Sequence, residues 1–118
     1  YLKELKNLPM KLPPKGDESF NRLWHLFVIQ TDRRNALREF LKKRGIETLI
    51  HYPTPIFKQE AYKFLGYEEK DLSVTTRIHD KILSLPIYPE LTVPEVKFIC
   101  NSIGEFYGNR KTNNSIVG

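Results

Sequence analysis

Three imidazoles are the natural starting point, because neutral histidine can act as base, metal ligand or hydrogen-bond partner near neutral pH. His25 stands in the run RLWHLFVIQ, His51 in IETLIHY, and His79 in a stretch with helical spacing. No two of them have the i, i+4 spacing of a zinc helix, and no cysteine or acidic cluster accompanies any one, so a metal centre is not expected. His79 reads as a helix-surface residue. For His25 and His51 two roles stay open: a satisfied structural one, and a place in a cleft of the kind that strand ends often border. Nucleophilic chemistry finds less support. The single cysteine, Cys100, falls on an apolar stripe and reads as a buried thiol. Ser84 and Ser102 lack a glycine elbow. Glu68, Glu69 and Asp71 read as a solvated charged loop. Residue chemistry alone gives this chain no self-sufficient active site.

One segment differs in kind. His51-Tyr52-Pro53-Thr54-Pro55 places two polar aromatic side chains at a strand end and fixes the exit with two prolines. Proline freezes φ and removes a backbone donor, so such a loop is rigid without a hydrogen-bond ladder. Imidazole, phenol and hydroxyl groups on a rigid loop suit recognition of a polar ligand such as a sugar. The competing reading is a structural turn with Tyr52 packed as a core aromatic.

The elements that must carry this loop follow from periodicity. Leu2, Leu5 and Leu8 have helical spacing, and Pro9, Pro13, Pro14 and Gly16 form an extended connector. Residues 22–30 read as a strand apolar on both faces, followed by a helix over 32–44 with Thr31 or Asp32 as its cap. Its apolar stripe is Ala36, Leu37, Phe40 and Leu41, and Gly45 stops it. Residues 46–52 read as a second strand, giving a split βαβ unit whose strands need not be neighbours. A short helix over 56–65, with Phe57, Ala61 and Phe64 or Leu65 inward, ends at Gly66. A Ser73-capped helix aligning Val74, Ile78, Ile82 and Leu83 comes next, and then a third strand at 85–87. Thr92-Val93-Pro94-Glu95 is a capping box with proline in the first turn. Val96, Ile99, Cys100, Ile103, Phe106 and Tyr107 keep one face of the last helix. Residues 109–118 are polar and read as a frayed tail, and the sequon Asn113-Asn114-Ser115 within them reads as chance.

The expected fold is α+β: a small two-layer domain with about three strands covered by helices. The chain has 118 residues, 40% of them hydrophobic and 28% charged, which excludes global disorder and suffices for one core. One cysteine excludes an internal disulfide and fits a reducing compartment, so a cytoplasmic location is expected. The chain opens at Tyr1 as if within a helix and reads as part of something longer. Nineteen basic against fourteen acidic residues give a net charge of +5, and Arg33, Arg34, Arg38, Lys42, Lys43 and Arg44 share one helix. A solvated face accounts for these charges. Nucleic-acid binding by that helix is a minor alternative.

Residues 24–29 (WHLFVI), the helix over 32–44 and the string GIETLIHYPTP at 45–55 together resemble the C-terminal domain of the DegT/DnrJ/EryC1/StrS sugar aminotransferases. QEAY at 59–62 and ILSLPIYPEL at 82–91 continue the pattern in order, so the resemblance covers about residues 1–107. It implies the small domain of a fold type I aminotransferase, with residues 1–14 as the end of an inter-domain helix and linker, 15–108 as the small domain and 109–118 as tail. It further implies a parent enzyme whose missing N-terminal domain binds pyridoxal phosphate through a lysine. That parent would aminate a nucleotide-linked ketosugar, of dTDP-3-oxo-6-deoxyhexose type, with glutamate as donor, and would form a homodimer. By the same resemblance His51 and Tyr52 line the sugar cleft, and Thr54 and His25 stand behind them. Where many family members carry a histidine two residues past the second proline, this chain has Phe57; the following Lys58 would face a phosphate or solvent. No cofactor and no catalytic residue is expected in this segment, which alone would be inactive. The alternative is a detached binding or regulatory module.

Overall fold

The computed structural model describes residues 1–16 and 23–108. Its elements are helix α1 (Leu2–Leu5), strand β1 (Phe27–Gln30), helix α2 (Arg34–Lys42), 3₁₀ turns at Ile56–Lys58, Glu60–Leu65 and Glu69–Leu72, helix α3 (Ser73–His79), strand β2 (Ile82–Leu85) and helix α4 (Val93–Phe106). The fold is α+β, as expected. β1 and β2 pair antiparallel, with Phe27 opposite Leu85 and Ile29 opposite Leu83. Two single bridges widen this pair: Lys11 lies against Gln30, and Leu49 against Ser84. β2 therefore runs between β1 and the segment around Leu49, the split arrangement expected of the βαβ unit.

The expected second strand, 46–52, is reduced to the one bridge at Leu49, because in this register the next hydrogen-bonded pair toward its start would need an N–H from Pro86, and Pro53 stops it at the other end. The expected third strand at 85–87 begins earlier, at Ile82. Ile82 and Leu83, expected on the helix before it, are strand residues. β1 is also shorter than expected and alternates buried and half-buried positions rather than being buried on both faces. Sheet alternation explains this, since Phe27 and Ile29 point to the helices while Val28 and Gln30 point away.

Leu5, Leu37, Leu41, Leu83 and Ile103 are fully buried, so α1, α2, β2 and α4 share one core. In α2 the stripe is Leu37 and Leu41 with Phe40 at its margin; Ala36, expected inward, is exposed, and Arg34 is buried instead. Arg34 Nη1 donates to the Ile82 carbonyl at 3.2 Å, which supplies the polar contact its burial requires. No side chain caps α2, although Thr31 Oγ1 accepts the Arg33 N–H at 3.2 Å. The helix closes as a Schellman turn, with Gly45 N–H on the Lys42 carbonyl, Ile46 N–H on the Leu41 carbonyl and Gly45 at φ 74°. Residues 56–65 form 3₁₀ turns rather than a helix; Ala61, expected inward, is exposed, and so are both Phe64 and Leu65, of which one is expected inward. Ser73 starts α3 instead of capping it, and Val74 is exposed. The residues 1–14 pack onto this body: the Tyr1 hydroxyl donates to the Pro86 carbonyl at 2.7 Å, and burial raises its pKa above the ordinary phenol value. The expected tail and its sequon lie outside the described residues.

The capping box of α4 forms as expected. The Thr92 hydroxyl and backbone N–H donate to Glu95 Oε2 at 2.6 and 2.7 Å, and the Thr92 hydroxyl accepts from the Glu95 N–H at 3.4 Å. The hydroxyl bond first, and the backbone bond second, hold the Glu95 carboxyl below the ordinary glutamate pKa. A carboxyl depressed on folding stabilises the fold above its unfolded pKa, and that contribution is lost as pH falls through the folded value. Glu95→Gln should therefore reduce stability at neutral pH and flatten the acid limb of the stability curve, read by urea unfolding across pH 7 to about 3; equal loss at both ends of that range would refute the linkage.

Candidate functional site

Ser84 organises the loop that the sequence singles out. Its N–H and C=O both bond to Leu49, at 2.7 and 3.1 Å, away from β1. Alternation turns its side chain to the sheet face opposite Leu83 and Leu85, the face without core helices. There the Ser84 hydroxyl and His51 Nδ1 share a hydrogen bond of 2.9 Å. Ser84 is buried and His51 half-buried, so the imidazole covers the hydroxyl and is itself held. The sequence gives one sign of this residue: a lone hydroxyl inside the apolar run Ile82-Leu83-Ser84-Leu85, where a buried polar group requires a partner.

Tyr52 follows across a cis peptide bond, its ring edge-on to His51 with centroids 5.8 Å apart. It is 71% exposed, which rejects the core-aromatic reading and leaves phenol and imidazole side by side at the surface. Thr54 is exposed, and its carbonyl accepts from Gln59 Nε2 at 3.4 Å. Pro55, at φ −56° and ψ 145°, directs the chain into the turn at Ile56–Lys58. Lys58 is ion-paired with Glu69. His25 lies in a bend ahead of β1 rather than in a strand, is exposed, and makes no hydrogen bond with the loop among the described residues. The structure thus joins His51 to Tyr52, strings Thr54 and Lys58 along the same loop, and shows no link to His25.

His79 is not the surface residue expected. Its side chain is only 14% exposed, Nδ1 lies 3.8 Å from Asp80 Oδ1, and Nε2 is buried without a partner. The start of β2 immediately after α3 draws this helix end onto the sheet. Cys100 is buried, as expected. The basic face of α2 is partly committed to packing. The Arg33 guanidinium lies 4.2 Å from the Phe106 ring centroid, and Arg44 pairs with Glu105 at 2.6 Å. Among the described residues, no three His, Cys, Asp or Glu side chains group to hold a metal, and no helix is long and apolar enough to cross a membrane. Beyond the loop, Ile56, Phe57, Tyr62, Leu65, Tyr67 and Leu72 line an apolar hollow of about 280 Å³. A second, larger hollow carries Lys58, Lys63 and Lys70, whose amines pair with Glu69, Glu60 and Glu68.

The structure is thus a small α+β body with a polar aromatic loop at the edge of its sheet. Residues 1–104 match the model of the DegT/DnrJ/EryC1/StrS aminotransferase family, and the chain belongs to that family. It is 34% identical over 106 residues to the dTDP-3-amino-3,6-dideoxy-alpha-D-galactopyranose transaminase of Aneurinibacillus thermoaerophilus, covering 90% of this chain and 28% of that protein. It is 36% identical over 107 residues to the dTDP-3-amino-3,4,6-trideoxy-alpha-D-glucose transaminase of Streptomyces venezuelae, with 90% and 28% covered. Among solved structures, DesV of S. venezuelae in complex with a ketimine intermediate superposes with a TM-score of 0.83 at 36% identity, over 91% of this chain and 29% of that one. The chain therefore spans under a third of the length of these relatives.

If Ser84 is the tether, Ser84→Ala should lower stability by about 1 kcal/mol and release the His51 ring. The first is read by denaturant unfolding and the second by loss of nuclear Overhauser contacts between the imidazole and β2. An unchanged ring environment would mean that the loop is held by other means.

Proposed function

We propose that these residues are the C-terminal, substrate-shaping domain of a sugar-nucleotide aminotransferase. The observation that carries this reading is the family match over residues 1–104, together with relatives at 34 and 36% identity whose names are those of dTDP-amino-sugar transaminases. The division expected from the sequence, with 1–14 as helix end and linker, 15–108 as domain and 109–118 as tail, belongs to the same proposal. The substrate is a nucleotide-linked ketosugar of dTDP-3-oxo-6-deoxyhexose type, glutamate is the donor, and the enzyme is a cytoplasmic homodimer. Pyridoxal phosphate supplies the electron sink for amino transfer, and it is held by the remainder of the enzyme.

The part of this chain is orientation and exclusion of water. His51, fixed on Ser84, and Tyr52, held edge-on to it, offer hydrogen-bonding groups to sugar hydroxyls from a loop with little conformational freedom. Thr54 extends that wall along the same loop, and Lys58 stands ready for a phosphate when it leaves Glu69. The exposed apolar arm around Ile56, Tyr62 and Leu65 supports a companion domain that covers it.

The test begins with the intact mass of the native gene product and its visible absorbance. A mass several times 13.9 kDa with an internal-aldimine band is expected, whereas a 13.9 kDa product without a chromophore would favour the detached binding module. In the full enzyme, Tyr52→Phe should raise KM for the ketosugar nucleotide by about tenfold while leaving the glutamate half-reaction unchanged. A loss falling equally on both half-reactions would remove Tyr52 from the sugar site.

A further inference from the structure

The basic residues of α2 and its flanks include two kinds. Arg33 lies on Phe106, Arg34 is buried on the Ile82 carbonyl, and Arg44 pairs with Glu105. Arg38 and Lys42 have no such contact among the described residues, yet both line the same hollow of about 240 Å³. They lie four residues apart, on one helix face. The opposite wall is the edge segment Glu47, Thr48 and Leu49. Thr48 is 7% exposed, and its hydroxyl is buried without a hydrogen-bond partner. Alternation about the Leu49 bridge turns Thr48 to the helix side, toward α2. An unpartnered buried hydroxyl beside two uncommitted cations is an unfilled hydrogen-bonding demand in a lining where positive charge outnumbers the one carboxylate, Glu47.

We propose that this hollow binds the phosphate group of a small phosphorylated molecule. The Arg38 fork and the Lys42 ammonium supply charge, and the Thr48 hydroxyl turns about χ1 to supply a further donor. Two cations on one wall and a hydroxyl on the other suit a phosphate, which carries more negative charge and more acceptor oxygens than a carboxylate. Occupancy would be felt at the loop, because Leu49 and His51 are both held by Ser84. The proposal does not depend on the aminotransferase reading.

The experiment titrates the 118-residue chain with inorganic phosphate, pyrophosphate, glucose 1-phosphate and glutamate at constant ionic strength, following backbone amide shifts. Saturable shifts at Thr48 and Leu49 with the phosphates, but not with glutamate, are expected; stronger pyrophosphate binding marks a diphosphate ligand, and stronger glucose 1-phosphate binding a monoester. Arg38→Gln and Lys42→Gln should each weaken binding by about tenfold, and Thr48→Val by less. Lys43→Gln removes the same charge from the adjacent position outside the hollow and should leave binding nearly unchanged. All four variants are checked for an unaltered unfolding midpoint. Absence of saturation, equal response to glutamate, or equal weakening by Lys43→Gln would overturn the proposal.

Discussion

The double use of Ser84 is the constraint on which the rest of the site depends. Its backbone is spent on Leu49, so the incoming chain after α2 has only one place to dock. Its side chain is spent on His51, so the chain is caught again two residues later on the opposite sheet face. Two anchor points that close together fix the position of a loop whose prolines, Pro53 and Pro55, make it stiff but contribute no ladder bonds to the sheet. Apolar replacement at this position would keep the strand and lose the second anchor.

The layer of helices makes that anchoring possible from the other side. Leu83 and Leu85 take the core face of β2, against Phe27 and Ile29, and this register is what turns Ser84 outward. A one-residue slip would bury the hydroxyl against Leu37 and Leu41 and expose leucines where the imidazole sits. The core thus determines the chemistry of the loop through register rather than through contact. Arg34 reinforces it, tying α2 to the first residue of β2 through the Ile82 carbonyl.

Much of this was legible in the residues. The capping box at Thr92, the stop at Gly45, the stripe of α4 and the split βαβ order all rest on local rules, and local rules read well from sequence. The unusual rigidity of HYPTP was legible for the same reason. What escaped was tertiary. Ile82 and Leu83 have helical spacing to Val74 and Ile78, and only pairing with β1 makes them a strand. Phe64 and Leu65 have an inward helical spacing but meet no neighbour that buries them. His79 reads as surface because nothing nearby announces that β2 will pull its helix end down. The partner of His51 was visible as an oddity, a serine among leucines, and unassignable without the fold.

The order of the strands also has a kinetic meaning. β1 pairs with a strand from far along the chain, and Leu49 can dock only after β2 has arrived between them. Closing those long loops costs entropy before any contact rewards it, so the sheet belongs to the late, cooperative part of folding. α2 and its Gly45 turn can form from local contacts, whereas the His51 loop has no anchor until β2 is in place. The His51 loop is therefore the last feature to assemble, and a partly folded chain would not hold it in place.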